Sequence, residues 1–348
     1  FYFLILSSVL LVSCSKNDDP VTPQPIETKY KGVYIVNEGL YGQNNSSISY
    51  YDFETQTSNN DVYSNVNSGL NLGDTANDID VFGDKAYIAV DISNKIEIID
   101  MNTFKSLGNI DLGASSSPRD VVILDSTIAY VTCLAKDALV KFNPSTKQII
   151  KTIPVGSKPE AAVYSAGKIY VTNSGYGYKN TVSVVDITTD TEEKVLTVGY
   201  NPRFAHTKND GYVYIVCSGQ FDDLGKGGIY KISTNNNTVV DSLIINSNPG
   251  ESCLINNNKM VVANNAGLLK VNLSTMEQEG DTFVSSMSIN FLYGVIYSLS
   301  FDSKNNLLYC GNPKDFLQNG EVVVLDLNGS EIKRFDVGIN PGCILIIN

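Results

Sequence analysis

The chain has 348 residues and a net charge of −12, with one His, no Trp and six Cys. So acidic a surface repels phosphate backbones and excludes nucleic acid as a partner. A single histidine excludes multi-His metal centres, and any Ser-His-Asp triad would have to use His206.

Residues 1–13 are mostly apolar and uncharged, and end at Leu11-Val12-Ser13-Cys14. The run is too short for a membrane span, which needs ~20 apolar residues. An apolar stretch closing on small residues reads as a secretory signal. The Cys at its end makes it a lipoprotein signal, so Cys14 is the expected lipidation site and the mature N-terminus. Acyl chains on that residue would be the only link to a membrane. Residues 14–30 carry Asp18, Asp19, Pro20, Pro23 and Pro25 without apolar periodicity, and read as a tether.

Residues 31–348 read as repeated strands and turns. One phrase recurs along the chain: Tyr34-Ile35-Val36-Asn37, Tyr87-Ile88-Ala89-Val90, Tyr130-Val131-Thr132-Cys133, Tyr170-Val171-Thr172-Asn173 and Tyr214-Ile215-Val216-Cys217. Val261-Val262-Ala263-Asn264 and Leu308-Tyr309-Cys310-Gly311 continue it, which makes seven copies. A turn with Pro precedes most of them, at Pro118, Pro159, Pro202 and Pro249. An alternating strand ending in Asp follows, at Asp52, Asp100, Asp186 and Asp326, where a recurrent carboxylate suits a turn cap. Four short strands per unit at this period predict an all-β, seven-bladed β-propeller with four antiparallel strands per blade. The ends match. Gly338-Ile339-Asn340-Pro341-Gly342 is a Pro turn with no Tyr phrase after it, and Tyr34 lacks a Pro turn before it. The C-terminal strand from Cys343 to Ile347 is therefore expected to join the N-terminal blade and close the ring, removing the open edge.

In such a blade, the turn before the inner strand and the loop after the second strand open on one face. Residues that vary there are the candidates for binding. After the Pro turns these are Arg119, Glu160 and Arg203, with Asn77 and Tyr297 at matching positions. At the ends of the Tyr phrases they are Asn37, Glu38 and Asn173. In the longer loops they are the aromatics Tyr41, Tyr176, Tyr178, Phe221 and Phe316, set among Gly, Asn and Gln. Exposed rings among amides suit a large amphipathic ligand. Arg119 and Arg203 are the candidates for a phosphate, with a rim network of Arg–Glu pairs as the alternative. His206 falls on an inner strand, as a hydrogen-bonded residue or a tunnel contact. Asp74, Asp78 and Asp80 cluster without a calcium-loop pattern, and no C-x-x-C occurs, so no metal and no cofactor is expected. The five remaining cysteines are expected to be small buried residues.

The Tyr170-Val171-Thr172-Asn173 wording resembles the YVTN-repeat, YncE-like propellers over nearly the whole body. With the lipobox, the acidic segment after Cys14 and the opening Val33-Tyr34-Ile35-Val36-Asn37-Glu38-Gly39, the chain is similar to surface lipoproteins of gut Gram-negative bacteria, and among them to the cobalamin-binding BtuG group. That resemblance implies a cell-surface, outer-membrane lipoprotein that captures cobalamin or another corrinoid and passes it to an outer-membrane transporter. It is expected not to be an enzyme. The alternatives are an envelope adhesion module that binds protein or glycan, and a propeller lactone hydrolase.

Overall fold

The computed structural model describes residues 31–220 and 227–348. The expected signal segment, Cys14, the tether and Phe221 lie outside the described residues.

The described strands form seven antiparallel sheets arranged in sequence around a ring. Blade one is a composite. Its inner strand is Pro341–Ile347, followed outward by Gly32–Asn37, Ser47–Asp52 and Ser58–Asn59. The closing pair runs from Gly32 opposite Ile347 to Val36 opposite Cys343. The matched incomplete ends therefore meet as expected. Blades two to seven begin with inner strands Ala76–Phe82, Pro118–Ile123, Pro159–Ser165, Pro202–Thr207, Ser252–Ile255 and Ser298–Asp302.

The repeated tyrosine has a physical role. Tyr34, Tyr130, Tyr170, Tyr214 and Tyr309 are fully buried between sheets. Tyr130 Oη donates to Asp190 at 3.2 Å and Tyr170 Oη to Asn237 at 2.6 Å, each on a turn of the following blade. The ring thus fills the seam, and at Tyr130 and Tyr170 the hydroxyl ties it. The apolar clusters also straddle blades: Tyr87, Ile96 and Ile98 pack with Val121, Val131 and Phe142.

The recurrent Asp caps turns as expected. Asp52 Oδ1 accepts from Glu54 N and Thr55 N, Asp186 Oδ1 from Thr188 N and Thr189 N, and Asp326 Oδ1 from Asn328 N and Ser330 N. Cys133, Cys217, Cys253 and Cys310 are buried free thiols, while Cys343 is half-buried.

Two departures from the repeat were not foreseen. The outer strand of blade one is only Ser58–Asn59, and the short helix Val62–Val66 follows it, burying Val62 and Tyr63 against the sheet. Between blades six and seven, Val284–Ser285 adds an extra pairing to Gly267–Asn272, and Ser286–Ile289 forms a single helical turn.

Candidate functional site

The loop after each second strand is stitched to the turn before its inner strand. Glu38 N donates to Asn340 O (2.8 Å), Leu134 N to Ser117 O (2.9 Å), Ser174 N to Lys158 O (3.0 Å) and Ser218 N to Asn201 O (2.9 Å). Both sets of loops therefore sit at one end of the ring. There they enclose a cavity of about 440 Å³ lined by Glu38, Asn77, Arg119, Glu160, Arg203 and Tyr297, with Gly250 and Gly342 at the remaining blades. Every blade contributes the residue at its Pro-turn position.

The next residue along the inner strand often lines the cavity too: Asp78, Asp120, Ala161, Phe204, Glu251 and Cys343. A regular strand would send neighbouring side chains to opposite faces. Register shifts at Ala76/Asp78, Pro118/Val121, Pro159/Ala162 and Pro202/Phe204 break that alternation. Such bulges re-aim side chains at the opening.

Arg119 is held by protein partners through Nε and Nη1. Its Nε donates to Glu160 Oε2 at 3.1 Å, and Nη1 to Asn77 Oδ1 at 2.8 Å and Asp91 Oδ2 at 3.2 Å. The Arg–Glu rim network is thus present at this residue, and it leaves Nη2 of Arg119 as the edge that could still meet an anion. Arg203 differs: it is exposed, and among the described residues it makes no ion pair or hydrogen bond. Its guanidinium lies over the Phe204 ring at 5.4 Å.

Four carboxyls of the cavity, Glu38, Glu251, Asp78 and Asp120, hold their protons more tightly than usual. Burial raises Glu38, whose Oε2 accepts from Tyr297 Oη at 2.6 Å. Burial pushes Glu251 up to about 8. Asp78 and Asp120 are both raised by burial, and Asp120 is raised further by the adjacent Asp78. These two also link blades: Asp78 Oδ2 accepts from Val121 N and Asp120 Oδ2 from Ala162 N, each at 2.9 Å. Asp80 accepts from Ile123 N at 2.8 Å in the same manner. The Asp pair on the inner strand of blade two therefore serves inter-blade pairing. Among the described residues no group of three His, Cys, Asp or Glu is placed to hold a metal ion. His206 shares a 2.8 Å hydrogen bond with Ser252 Oγ on the next blade, and burial lowers its pKa to about 4.

The remaining candidates separate by burial. Asn37 and Asn173 expose nothing. Asn37 Nδ2 donates to Ser47 Oγ and Ser49 Oγ, and Asn173 Nδ2 to Thr181 Oγ1 and Ser183 Oγ. They are frame residues, which corrects the expectation that they reach a ligand. Strand parity turns them into the sheet although their backbone ends at the opening. Tyr41, Tyr176 and Tyr178 are exposed on the loops but do not line the cavity. Lys158 Nζ sits over the Tyr176 ring at 5.6 Å. Phe316 is half-buried, with ring centroids 5.7 Å from Tyr297 and 6.0 Å from Tyr293. Sequence reasoning missed Glu251 and the wall formed by Val295 and Ile296. The signal for the wall was length: about twenty residues separate Gln278 from Ser298, where, apart from the helical link between blades one and two, the other blades use a handful.

These features define a seven-bladed propeller with a polar, blade-by-blade varied cavity at its loop face. Residues 31–248 match the family model described as a domain of unknown function, DUF5074, and the chain belongs to that family. No curated protein matches its sequence. Solved structures with a similar fold include a quinonprotein alcohol dehydrogenase-like protein from Bacteroides thetaiotaomicron, 19% identical with a TM-score of 0.67, over 92% of this chain and 79% of that one. A protein from Lactobacillus plantarum is 13% identical with a TM-score of 0.68, over 92% of this chain and all of that one (100%). Hydrazine synthase of Kuenenia stuttgartiensis is 17% identical with a TM-score of 0.64, over 75% and 86%. At these identities the likeness is one of fold.

Proposed function

We propose that the protein is a lipid-anchored, cell-surface binding protein of the outer membrane. It captures a small-molecule nutrient of the corrinoid class at the propeller's loop face, performs no chemistry on it, and hands it to an outer-membrane transporter. The observation that supports this reading is the ring of equivalent positions at the opening. The frame repeats from blade to blade, yet these positions carry Asn77, Arg119, Glu160, Arg203, Gly250, Tyr297 and Gly342. Varied chemistry on an invariant scaffold suits recognition of one asymmetric ligand. A cavity of about 440 Å³ takes an edge of a corrinoid rather than its whole body. The exposed rings of Tyr41, Tyr176 and Tyr178, on loops of the same face, are the proposed contacts for the rest. One lining residue bears on whether the site does covalent chemistry. The Cys343 thiol there faces Asp78 at 3.5 Å, and burial pushes its pKa well up, so it is no thiolate nucleophile.

The test is to mix the full chain with cyanocobalamin and pass it over a sizing column. The red colour is expected to travel with protein, and colour that always elutes separately would end the corrinoid reading. Anchoring is tested by labelling cells with a palmitate analogue: label is expected on the wild type and not on Cys14→Ala.

A further inference from the structure

The cavity has two chemically distinct sides. On one side stands Arg203, whose guanidinium rests on Phe204 and spends none of its N–H groups on described protein acceptors. A stacked guanidinium is held in place while its donor edge stays available. On the other side Val295, Ile296 and Tyr297 line the opening, and Tyr297 continues into Phe316 and Tyr293. Tyr293 is 62% exposed, a ring left uncovered at the edge of the opening. Between the two sides lies blade six, which contributes Gly250. A Cβ built there meets nothing nearer than Ala263 O at 3.7 Å, so the position is open by sequence and not by crowding. Blade six thus separates cation from aromatic wall with only Gly250 and Glu251 in the lining.

We propose that this opening binds an amphipathic anion, with a planar apolar body against Tyr297, Phe316 and Tyr293, and a carboxylate, sulfonate or phosphate on Arg203. The inference rests on reading the opening as a ligand site, and it does not require that the ligand be a corrinoid. The acids nearby do not cancel Arg203. Burial raises Glu251 to about 8 and raises Glu38 as well, which lessens the negative charge these two carboxyls set against the guanidinium. Arg119 is the less available cation, because Asn77, Asp91 and Glu160 hold its Nε and Nη1 and offset its charge.

Two fluorescent probes test this on the full chain: 8-anilinonaphthalene-1-sulfonate, and N-phenyl-1-naphthylamine, which has the same ring body without the anion. The sulfonate is expected to bind the wild type roughly tenfold or more tighter than the neutral probe, from one charge-assisted contact. Arg203→Ala should remove that margin and leave the neutral probe unchanged. Gly250→Leu should weaken both probes, and unfolding curves check that each variant is folded. Equal affinity of the two probes for the wild type, absence of sulfonate binding, or sulfonate binding that survives Arg203→Ala would each overturn the proposal. A preserved probe pattern with no cyanocobalamin capture would retire the corrinoid reading alone. Cyanocobalamin capture with no effect of Arg203→Ala on the sulfonate would retire this inference alone.

Discussion

Arg119→Ala should cost the fold far more than Arg203→Ala, although both residues line the same opening. Arg119 joins three blades: Asn77 and Asp91 of blade two and Glu160 of blade four converge on a side chain of blade three. Removing it strands two carboxylates whose side chains are only 11% and 13% exposed. Breaking an enclosed pair by deleting one partner costs about 3–5 kcal/mol. Arg119 itself is 24% exposed, so solvent screens part of this and the lower end, ~3 kcal/mol, applies. Equilibrium urea unfolding at pH 7 followed by circular dichroism reads the loss. Arg119→Ala/Glu160→Ala should recover part of it, because one stranded charge is gone. Arg203→Ala should cost no more than ~1 kcal/mol, as expected for an exposed residue whose contact among the described residues is the stack on Phe204. A loss below ~1 kcal/mol for Arg119→Ala, in the range of an ordinary surface pair, would refute the view of this residue as a tie between blades.

The chain's one histidine gives a direct reading of channel burial. Its pKa is lowered to about 4 from 6.5, so the stability it lends is present above pH 6.5 and fades as pH falls toward 4. A single imidazole proton resonance should titrate near 4, and a midpoint near 6.5 would contradict its enclosure beside Ser252. Glu251 behaves in the opposite sense. Raised from 4.5 to about 8, it contributes stability that is complete below pH 4.5 and lost as pH rises through 8. Glu251→Gln should therefore flatten the fall in urea midpoint between pH 5 and pH 8.5, and unchanged slopes would show that the carboxyl is ionised throughout. Gly156→Ala places a Cβ 2.4 Å from Asn173 Nδ2 and should cost about 1–3 kcal/mol, whereas Gly250→Ala, with open space, should be close to neutral in thermal unfolding.

Much of the architecture was legible because a propeller repeats its own reasons. The Tyr phrase marks a seam ring, the Asp marks a turn cap, and the orphaned Pro turn at Pro341 announces the closing strand. The positions around the opening were legible too, since they follow from the Pro turns by counting. What could not be counted was how those residues pair. Arg119 and Arg203 occupy equivalent places, and nothing local to either says that Asp91, from a tight loop of the neighbouring blade, will occupy one and not the other. Asn37 and Asn173 misled for a related reason: position along the strand was right, but which way the side chain points depends on alternation within the sheet. The wall at Val295 and Ile296 comes from an insertion outside the repeat, where periodicity offers no guide.

The closing strand pair also fixes a direction. Strand Gly32–Asn37 delivers Glu38 to the cavity at its far end, so Lys31, seven residues back, stands roughly 23 Å away on the reverse side of the disc. Held to a bilayer from that reverse side, the molecule would turn its opening toward the medium, like a dish on a stalk. A recipient of the cargo would then have to reach it over the rim, since the underside is occupied by the attachment itself.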